Sequence, residues 1–453
     1  MGKGSSFLDN IVRSYVKFSS FIYYSVKDIC PPGYINTAGK VLGNGELSKM
    51  IDASLDMRLT NDRFIQEFEQ KLGNYLNIKH VLTVNSGSAA NLIAISVLTS
   101  SKLETKKLKP DDEIILIATT TPTILNSILQ NRLIPVFVDI DENTYNIDIE
   151  QLRETITEKT KAIFVSHTLG NPCNIEEIAE LCAENNIWLI EDNSTALGAQ
   201  YNGKYTGTFG HISILNFDSS SQITTGEGGA ILTNDPELYN IANSYINGGK
   251  ECYCTTEKDH ICNERFSQKQ GTLPQGFDHK HIYSNFGYNC KMTEWQAAIG
   301  IAQLKKLPSF IKTRKRNFDL LYNGLKDLEE HLQLPLSNEN SEPSWFGFLI
   351  TVKKDEKFDK NGLVKFLEEH KIGTSPLSDG NILRQPVFIE NNIKIKIKNS
   401  LILFSSRLYE KYYNMLPNTD MTTNNSFWTG VWPGITEKEI KYVIGIIRSY
   451  FGK

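Results

Sequence analysis

The sequence predicts an α/β protein with a large, mostly parallel mixed sheet and a smaller C-terminal α/β unit. From about residue 80, short β-branched segments alternate with helical patterns, which is typical of consecutive βαβ units. The strand segments are apolar along their whole length, as expected for strands that are buried on both faces. The predicted strands are 81–85, 113–118, 135–140, 162–167 and 188–192, and the first helix of the sheet is 88–98.

Length and composition are those of a globular protein. Of its 453 residues, 40% are hydrophobic and 22% are charged, and the formal net charge is −4. A mildly acidic chain has no general affinity for nucleic acid, so no nucleic-acid partner is expected. No apolar run reaches the roughly 18 to 20 residues that span a bilayer. We therefore expect a cytoplasmic protein that does not bind membranes.

Three regions are expected along the chain. Residues 1–38 form an amphipathic helical arm, residues 39–306 a large α/β domain and residues 307–453 a smaller C-terminal domain. The arm is more typical of a segment that packs on protein than of a membrane anchor. Residues 246–285 interrupt the alternation of strands and helices, because they contain two adjacent glycines, a proline, three cysteines and three histidines. That composition predicts a long functional loop.

The first motif is Ser86-Gly87-Ser88, between a predicted strand and a predicted helix. In such a position glycine lets the backbone approach a phosphate, hydroxyls donate hydrogen bonds, and the helix N-terminus supplies partial positive charge. The same residues are equally typical of an ordinary helix N-cap. The motif alone leaves a phosphate site and a structural cap open.

Two further segments are ambiguous when taken singly. Glu191 and Asp192 end a buried strand, where a carboxylate would either face a ring nitrogen or cap the next turn. Residues 224–229 (TTGEGG) form a glycine-rich turn between two apolar segments, and a turn by itself indicates no ligand. Their order and spacing along the chain are more specific than either segment.

Together these three segments resemble the sugar aminotransferase and dehydrase family (DegT/DnrJ/EryC1/StrS) of the fold type I pyridoxal-phosphate enzymes. Within that family the chain is most similar to the CDP-4-keto-6-deoxyglucose 3-dehydrases of lipopolysaccharide biosynthesis. The resemblance runs from about Gly39 to Phe451 and includes HTLGNP (167–172), WLIED (188–192), YSNFGYNCKMTEWQ (283–296), SWFGF (344–348), GN (380–381), RQP (384–386) and FWTG (427–430). It implies an aspartate-aminotransferase-like fold, a homodimer and a nucleotide-sugar substrate.

The resemblance also implies roles for individual residues. Gly87 and Ser88 would hold the cofactor phosphate, and Asn289 would reach that phosphate from a partner subunit. Asp192 would pair with the pyridine nitrogen and keep it protonated, which makes the ring an electron sink. The residues that would contact the nucleotide sugar are Asn381, Arg384, Gln385 and Trp428. A forked guanidinium suits phosphate oxygens.

The chain departs from the family at the residue that decides the cofactor chemistry. Aminotransferases of this family have a lysine shortly before the TGEGG turn, and the 3-dehydrases have a histidine, but this chain has Ser221. No lysine or histidine lies between His211 and Lys250. An alcohol without a neighbouring base is a poor proton acceptor. We therefore expect no internal aldimine, and a pyridoxamine or pyridoxal phosphate would bind non-covalently.

Four further departures surround the same site. Thr121 replaces an aromatic side chain that stacks on the pyridine ring, and Thr195 replaces the polar side chain three residues after the ring-nitrogen aspartate. Asn216 replaces a phosphate-binding serine, and Asp62 replaces a glycine near the cofactor. Neutral drift is not expected to concentrate at one pocket. The changes therefore favour an altered or lost cofactor chemistry.

The cysteine-rich loop gives a related prediction. Cys252, Cys254 and Cys262 reproduce the C-x-C-x7-C spacing of the dehydrase iron–sulfur loop. Such clusters normally take four thiolates, and the fourth position, just after the Glu-Asp pair, is Ser194. The open alternatives are a serine-ligated [2Fe–2S] cluster, a three-thiolate cluster with Cys173 or Cys182 nearby, and no cluster. We expect no intact [2Fe–2S] cluster.

Three functions remain open from the sequence. The resemblance implies elimination of the C3 hydroxyl from a CDP- or other NDP-4-keto-6-deoxyhexose, and the missing lysine argues against a transaminase. A second alternative is acid–base chemistry beside the 4-keto group without pyridoxal, for which the candidate residues besides Ser221 are His167, Asp192 and Glu227. A third is a catalytically inactive paralogue that binds a sugar nucleotide or serves as the partner of an active subunit.

Overall fold

The computed structural model describes residues 3–26, 33–251, 265–267, 270–353, 357–391, 393–403, 412 and 414–453. The helices there are α1 (Lys3–Val26), α2 (Asn44–Asp56), α3 (Arg63–Leu76), α4 (Gly87–Leu98), α5 (Pro122–Gln130), α6 (Ile149–Thr155), α7 (Ile175–Asn185), α8 (Pro236–Ile246), α9 (Glu294–Leu325), α10 (Lys360–Glu369), α11 (Pro386–Glu390), α12 (Pro417–Asn425) and α13 (Glu437–Tyr450).

The strands follow the same order along the chain. They are β1 (His80–Val84), β2 (Glu113–Ile117), β3 (Ile134–Val138), β4 (Thr160–Ser166), β5 (Trp188–Asp192), β6 (Gln200–Tyr201), β7 (Lys204–Tyr205), β8 (Ile212–Asn216), β9 (Gly229–Thr233), β10 (Leu332–Gln333), β11 (Ser341–Glu342), β12 (Gly347–Val352), β13 (Lys394–Ile397), β14 (Ser400–Leu403) and β15 (Ser426–Gly430). The five strands predicted from the sequence are all present, with ends that differ by at most two residues.

The large sheet has the strand order β1-β9-β8-β5-β4-β2-β3-β13-β14. Neighbouring strands from β8 to β13 in that order are parallel, whereas β9 runs antiparallel to both β1 and β8, and β14 runs antiparallel to β13. The sheet is therefore mixed and mostly parallel, which confirms the predicted fold class. The central parallel strands β2, β3, β4 and β8 are buried along most of their length, as strands covered on both faces are.

Helix α4 links the first strand to the core. Its sequence, GSAANLIAISVL, is apolar around most of its circumference, and a helix of that kind is buried. Ser86 is the N-cap, since its hydroxyl accepts a hydrogen bond from the Ala89 N–H at 3.1 Å. The helix packs against β8 and β9 and against α5 and α8. This packing fixes the position of the helix N-terminus at the edge of the sheet.

A second hydrophobic core surrounds the small sheet β10-β12-β15. It includes residues of α10, α13 and the second half of α9, with Phe318, Phe348 and Phe427 at its centre. Helix α9 spans residues 294–325 without interruption, so the predicted domain boundary at residue 306 falls inside it. In the part of the chain that the structure describes, no helix combines the length and apolarity needed to cross a membrane.

The chain returns to the large sheet after the small one. Strand β13 pairs in parallel with β3, with Lys396 opposite Val136. Ile382, Ile395 and Ile397 from this segment are buried in the core of the large sheet. Residues within the predicted C-terminal domain therefore complete one edge of the large sheet.

Candidate active site

The predicted site residues meet at one edge of the large sheet. Strand β5 runs parallel to β4 and β8, and β1 has the same direction as β8 because both are antiparallel to β9. The segments that follow β1, β2, β4, β5 and β8 therefore emerge at the same edge, where ligands of α/β proteins bind. These segments carry the motif 86–88, Thr121 and His167, and Asp192 and Asn216 are the last residues of β5 and β8 at the same edge.

The N-terminus of α4 is both a capped helix end and an open donor site. The first N–H groups of a helix have no partner within it, and those of Gly87 and Ser88 lie at this end. A Cβ atom on Gly87 would lie 2.6 Å from Cγ of Asn216. Gly87 is therefore required by the close approach of Asn216, whose side chain packs directly on the predicted phosphate cradle.

The loop after β8 contains a carboxylate that the sequence analysis missed. Oδ1 of Asp218 accepts hydrogen bonds from the N–H and the hydroxyl of Ser220, both at 2.7 Å, and from the N–H and hydroxyl of Ser221, at 2.9 and 3.1 Å. Its Oδ2 accepts from Nδ2 of Asn216 at 2.9 Å. The expectation that Ser221 has no neighbouring base is therefore wrong. An aspartate followed by small polar residues turns the backbone onto its own carboxylate, and the run DSSS was the available signal.

Ser221 presents a particular face to a ligand. Its side chain is buried at 8% exposure, and its hydroxyl proton is donated to Asp218. The remaining lone pairs of Ser221 Oγ can only accept a hydrogen bond. The position therefore suits a ligand group that carries N–H or O–H.

Gln222 connects the loop after β8 to the segment that follows β5. Its Nε2 donates to the main-chain oxygens of Thr195, at 2.9 Å, and Ser344, at 2.5 Å. The Thr195 hydroxyl in turn donates to the main-chain oxygen of His167 at 3.0 Å. Among the residues that the structure describes, Oε1 of Gln222 is buried without a hydrogen-bond partner. The loops after β4, β5 and β8 are thus held together by side-chain contacts to main-chain atoms.

Asp192 is half-buried at the end of β5. Its Oδ1 accepts from the Ser194 N–H at 3.0 Å, and its Oδ2 lies 3.4 Å from the Ser166 hydroxyl. Burial raises the pKa of Asp192 above its ordinary value, and the Ser194 hydrogen bonds oppose that shift. A partner that is positively charged, such as a protonated ring nitrogen, would restore the ionised form.

His167 lies behind the sheet edge with no exposed surface. Its Nε2 is 3.3 Å from Oε2 of Glu191, which also accepts the Gly207 N–H at 2.7 Å. Burial alone lowers the pKa of His167, but the neighbouring Cys173 and Glu191 raise it above its ordinary value. Here His167 supports the strand ends, and its imidazole has no open path to the cleft.

The remaining cofactor-side residues differ in exposure. Thr121 is exposed at the N-cap of α5, with its hydroxyl 3.0 Å from that of Thr123. Asn289 is exposed, and its Oδ1 accepts from Lys291 Nζ at 2.8 Å. Asp62 is buried at the N-cap of α3. Asn289 is thus on the surface, where a second subunit could be reached.

Asp62 and Glu227 are held through main-chain atoms. The Asp62 N–H donates to Oε1 of Glu294 at 2.7 Å. Glu227 is exposed on the turn before β9, and its main-chain oxygen accepts from Nε2 of Gln296 at 2.5 Å. The Glu227 carboxylate is accessible, as the acid–base alternative requires.

Three of the predicted sugar-binding residues, Asn381, Arg384 and Gln385, lie beside the end of β2. The Ile382 N–H donates to the main-chain oxygen of Ala118 at 3.0 Å, which places the 381–385 turn next to Thr121. Asn381 is buried, and in the described part of the chain its Nδ2 has no hydrogen-bond partner. Nε2 of Gln385 donates to the main-chain oxygen of Asp379 at 2.9 Å.

Arg384 and Trp428 are engaged within the protein. Nε and a terminal nitrogen of Arg384 each lie 2.6 Å from a carboxylate oxygen of Asp420 on α12. Trp428 is buried, packs 5.5 Å from the Phe346 ring, and donates its indole N–H to the main-chain oxygen of Pro376 at 2.9 Å. Trp428 therefore forms part of the wall, and Arg384 is paired with a side chain.

Comparison with known proteins decides the family. Residues 43–448 match the DegT/DnrJ/EryC1/StrS aminotransferase family. The chain belongs to this family. Lipopolysaccharide biosynthesis protein RfbH of Salmonella typhimurium is 46% identical over 415 residues, which cover 92% of this chain and 91% of that protein. A dTDP-4-dehydro-2,6-dideoxy-D-glucose 3-dehydratase of Saccharopolyspora spinosa is 40% identical over 419 residues, 92% of this chain and 87% of that protein.

A solved structure agrees with the assignment to the DegT/DnrJ/EryC1/StrS family. The E coli GDP-4-keto-6-deoxy-D-mannose-3-dehydratase with bound hydrated PLP superposes with a TM-score of 0.78 and 30% identity, and the match covers 92% of this chain and 99% of that one. The fold type I architecture implied by the sequence resemblance is confirmed. The family comprises enzymes that modify nucleotide sugars in deoxysugar biosynthesis, with 3-dehydratases and aminotransferases among its members.

The residues at this site fit a cofactor of the pyridoxal-phosphate type. The α4 N-terminus offers donors to a phosphate, and Asp192 offers a carboxylate to a ring nitrogen. Ser221, which the sequence resemblance places at the position of the family lysine, has a hydroxyl whose remaining lone pairs can only accept a hydrogen bond. One feature is unfavourable for phosphate binding, because it places a negative charge near the predicted cradle. The Asp218 carboxylate is hydrogen-bonded to the side chain of Asn216, and that side chain packs on Gly87.

The iron–sulfur prediction falls largely outside the described residues, since Cys252, Cys254 and Cys262 lie there. Cys173 and Cys182, named as auxiliary ligands, are buried, and burial raises the pKa of Cys182 to about 12. Within the described residues, no three histidine, cysteine, aspartate or glutamate side chains are grouped to hold a metal ion.

Proposed function

We propose that this protein is a 3-dehydratase-type enzyme that removes the C3 hydroxyl of a CDP- or other NDP-4-keto-6-deoxyhexose, and that it is not a transaminase. The observation that carries the proposal is the loop between β8 and β9. There Ser221, hydrogen-bonded to Asp218, occupies the position that the sequence resemblance assigns to the lysine of the family's aminotransferases. An amine group at that position would be needed to hold an aldehyde cofactor covalently.

The cofactor would be pyridoxamine phosphate, bound without a covalent bond. The N–H groups of Gly87 and Ser88 would bind its phosphate, and Asp192 would keep its ring nitrogen protonated. When bound, it would supply an amine and an electron-withdrawing ring. Ser221 Oγ would accept a hydrogen bond from that amine, and a proton that arrives at Ser221 Oγ can be balanced by transfer of the hydroxyl proton to Oδ1 of Asp218.

The nucleotide sugar would bind at the 381–385 turn. Asn381 Nδ2 is buried without a partner among the described residues, so it is available to a ligand oxygen. Arg384 would exchange the Asp420 carboxylate for a phosphate of the nucleotide, a replacement of one charge-assisted pair by another. Asn289 would complete the phosphate site of a partner subunit in a homodimer.

A second candidate function is acid–base chemistry on the same 4-keto sugar without any pyridoxal cofactor. The observation that favours it is the pKa of Asp192, which burial raises. Once ionised, a carboxylate with a raised pKa is a stronger base than an ordinary aspartate. It could then remove a proton from a carbon next to the ketone.

One experiment separates these functions. The purified protein is incubated with a nucleotide-linked 4-keto-6-deoxyhexose, either alone, with stoichiometric pyridoxamine phosphate, or with pyridoxal phosphate and glutamate. We expect loss of the C3 hydroxyl, measured by mass spectrometry and NMR, only when pyridoxamine phosphate is present. Formation of a 4-amino sugar with glutamate would overturn the proposal. Epimerisation or elimination without any cofactor would favour the second candidate.

A further inference from the structure

A cleft lies at the edge of the large sheet opposite the candidate active site. Its walls include the segment before β2, the beginnings of β4 and β5, and the residue that precedes β8. Its volume is about 460 Å³, which is within the range of roughly 300 to 1,000 Å³ that small-molecule sites occupy. The two sites share β5, since its first residue, Trp188, lines the cleft and its last residue, Asp192, lies at the candidate active site.

The cleft is lined by four lysine side chains. Three of them come from the short segment before β2 and the fourth from β4, and they are Lys106, Lys107, Lys109 and Lys161. In the part of the chain that the structure describes, none of the four ammonium groups forms an ion pair with a carboxylate. Like charges gathered in a concave surface reinforce one another's potential. The cleft is therefore attractive to an anion.

The two carboxylates of the cleft do not cancel this charge. Oδ2 of Asp112 accepts the Lys109 N–H at 2.7 Å. Oδ1 of Asp235 accepts the N–H groups of Glu237 and Leu238, at 2.7 and 3.3 Å, at the start of α8. Four ammonium groups and two carboxylates leave a net charge of +2. That charge matches a phosphate monoester, which carries about −1.5 to −2 at pH 7.

His211 adds a neutral donor to the cleft. The Leu189 N–H donates to its Nδ1 at 3.0 Å, so the ring proton lies on Nε2. Partial burial of the ring lowers the pKa of His211 below its ordinary value, and Lys106 acts in the same direction, whereas Asp235 opposes the shift. The ring is therefore neutral at pH 7. Within the described residues its Nε2–H has no hydrogen-bond partner, so it is available to an oxygen of a ligand.

Trp188 supplies an apolar wall beside these polar groups. It is half-buried, its indole N–H donates to the main-chain oxygen of Lys106 at 3.0 Å, and its ring meets that of His211 edge-on with the centroids 4.8 Å apart. These contacts fix the orientation of the indole. An aromatic surface next to a cationic cleft suits an organic group that is attached to a phosphate.

We propose that this cleft binds a phosphate dianion, either free or as the monoester of a small organic molecule. The lysine ammonium groups and the Nε2–H of His211 would donate to the phosphate oxygens, and charge-assisted hydrogen bonds of this kind are strong. The inference does not depend on the proposed function, because none of these residues lies at the phosphate cradle of Gly87 or at the 381–385 turn.

The test is acetylation of the full-length protein with limiting reagent, followed by peptide mass spectrometry of each lysine. Inorganic phosphate or ribose 5-phosphate is added at rising concentration, and sodium chloride at the same ionic strength is the reference. We expect a saturable fall of about tenfold in the reactivity of the four cleft lysines, because an ammonium group that contacts phosphate is protected. Lys326, which is exposed just after α9, should not change.

The two additives distinguish the possible sources of the phosphate. Protection at a lower concentration of ribose 5-phosphate than of inorganic phosphate would show that an organic group packed on Trp188 is part of the ligand. Equal concentrations would show that the phosphate group alone is recognised. Protection no greater than in sodium chloride, or an equal fall at Lys326, would overturn the proposal.

A matched pair of variants sharpens the test. Lys107→Gln should raise the concentration that half-protects Lys109 and Lys161 by about tenfold or more, since it removes one charge-assisted contact. Lys326→Gln removes the same charge outside the cleft and should leave that concentration unchanged. An equal rise in both variants would show that net charge, and not this cleft, governs the protection, and would contradict the proposal.

Discussion

The two ends of the candidate site are held by different kinds of contact. At the cofactor end, Gln222 and Thr195 bind main-chain oxygens, and Asp218 binds main-chain N–H groups. At the sugar end, Gln385 and Trp428 also donate to main-chain oxygens, but the charged contact there is a pair of side chains, Arg384 with Asp420, and both are partly exposed. Partly exposed ion pairs are weak and can be exchanged for a ligand, whereas contacts to main-chain atoms set the path of the loop. The cofactor end is therefore preset, and the sugar end can adapt to its ligand.

The largest expected effect tests whether the cofactor end of the site can still accommodate an internal aldimine, as in the aminotransferases of the family. Ser221→Lys should create an internal aldimine with added pyridoxal phosphate where the wild type forms none, because it restores an amine at the position that the sequence resemblance assigns to the family lysine. The adduct would be detected by absorption and, after borohydride reduction, by peptide mass. Ser220→Lys places the same amine one residue away and serves as the control. An aldimine in the wild type would refute the comparison, and none in Ser221→Lys would mean that Asn216 and Asp218 have closed the cavity.

The next effect concerns the binding of a nucleotide sugar at the sugar end of the site. Arg384→Ala should weaken the binding of CDP-glucose or a 4-keto-6-deoxy derivative by about ten- to a hundredfold, since a charge-assisted contact contributes roughly 1.5 to 3 kcal/mol. Asp420→Asn leaves the guanidinium in place and removes its internal competitor, so it should tighten binding. Calorimetric titration measures both. Equal weakening in the two variants would indicate that the ion pair is structural and that Arg384 does not bind the ligand.

A smaller effect tests the charge beside the phosphate cradle. Asp218→Asn should tighten the binding of pyridoxamine phosphate by about fivefold, because it removes a repulsion of about 1 kcal/mol between the carboxylate and the phosphate. Asp379→Asn makes the same change of charge at the sugar end and should have no such effect. Fluorescence titration at two salt concentrations gives both values. Weaker binding in Asp218→Asn would show that the carboxylate orders the loop more than it repels the ligand.

The smallest effect concerns the support beneath the cofactor end. Glu69 accepts two hydrogen bonds at 2.8 Å from Thr83 of β1, the strand that leads to the phosphate loop. Burial raises the pKa of Glu69 from 4.5 to about 7. The folded state therefore favours the protonated form, and the wild type should lose stability as the pH rises from about 4.5 through about 7.

Denaturant titrations across that pH range measure this loss. Glu69→Gln should remove it, so the variant should be the more stable protein, relative to wild type, above pH 7. Glu67→Gln is the control. The neighbouring lysines lower the pKa of Glu67, so its replacement should leave the loss of stability across this pH range unchanged. An unchanged pH profile in Glu69→Gln would contradict the assignment.

The sequence predicted the strands and the position of the site for a physical reason. Buried parallel strands are apolar and short, and their carboxyl ends share one edge, so 188–192 and the motif at Ser86 could be placed without coordinates. The hydrogen bond between Ser221 and Asp218 could not, because it depends on how a turn folds back on its own side chain.

The return of β13 to the large sheet has a consequence for the order of folding. Strand β3 pairs on one side with β2, its near neighbour in the chain, but its other partner is β13, from residues 394–397. During synthesis on the ribosome, one edge of β3 therefore stays unpaired while more than half of the chain is made. An exposed strand edge offers unpaired N–H and C=O groups to any other chain. Slow translation or truncation before residue 394 should therefore send this protein toward aggregates, even though all the other strands of the large sheet except β14 are already present.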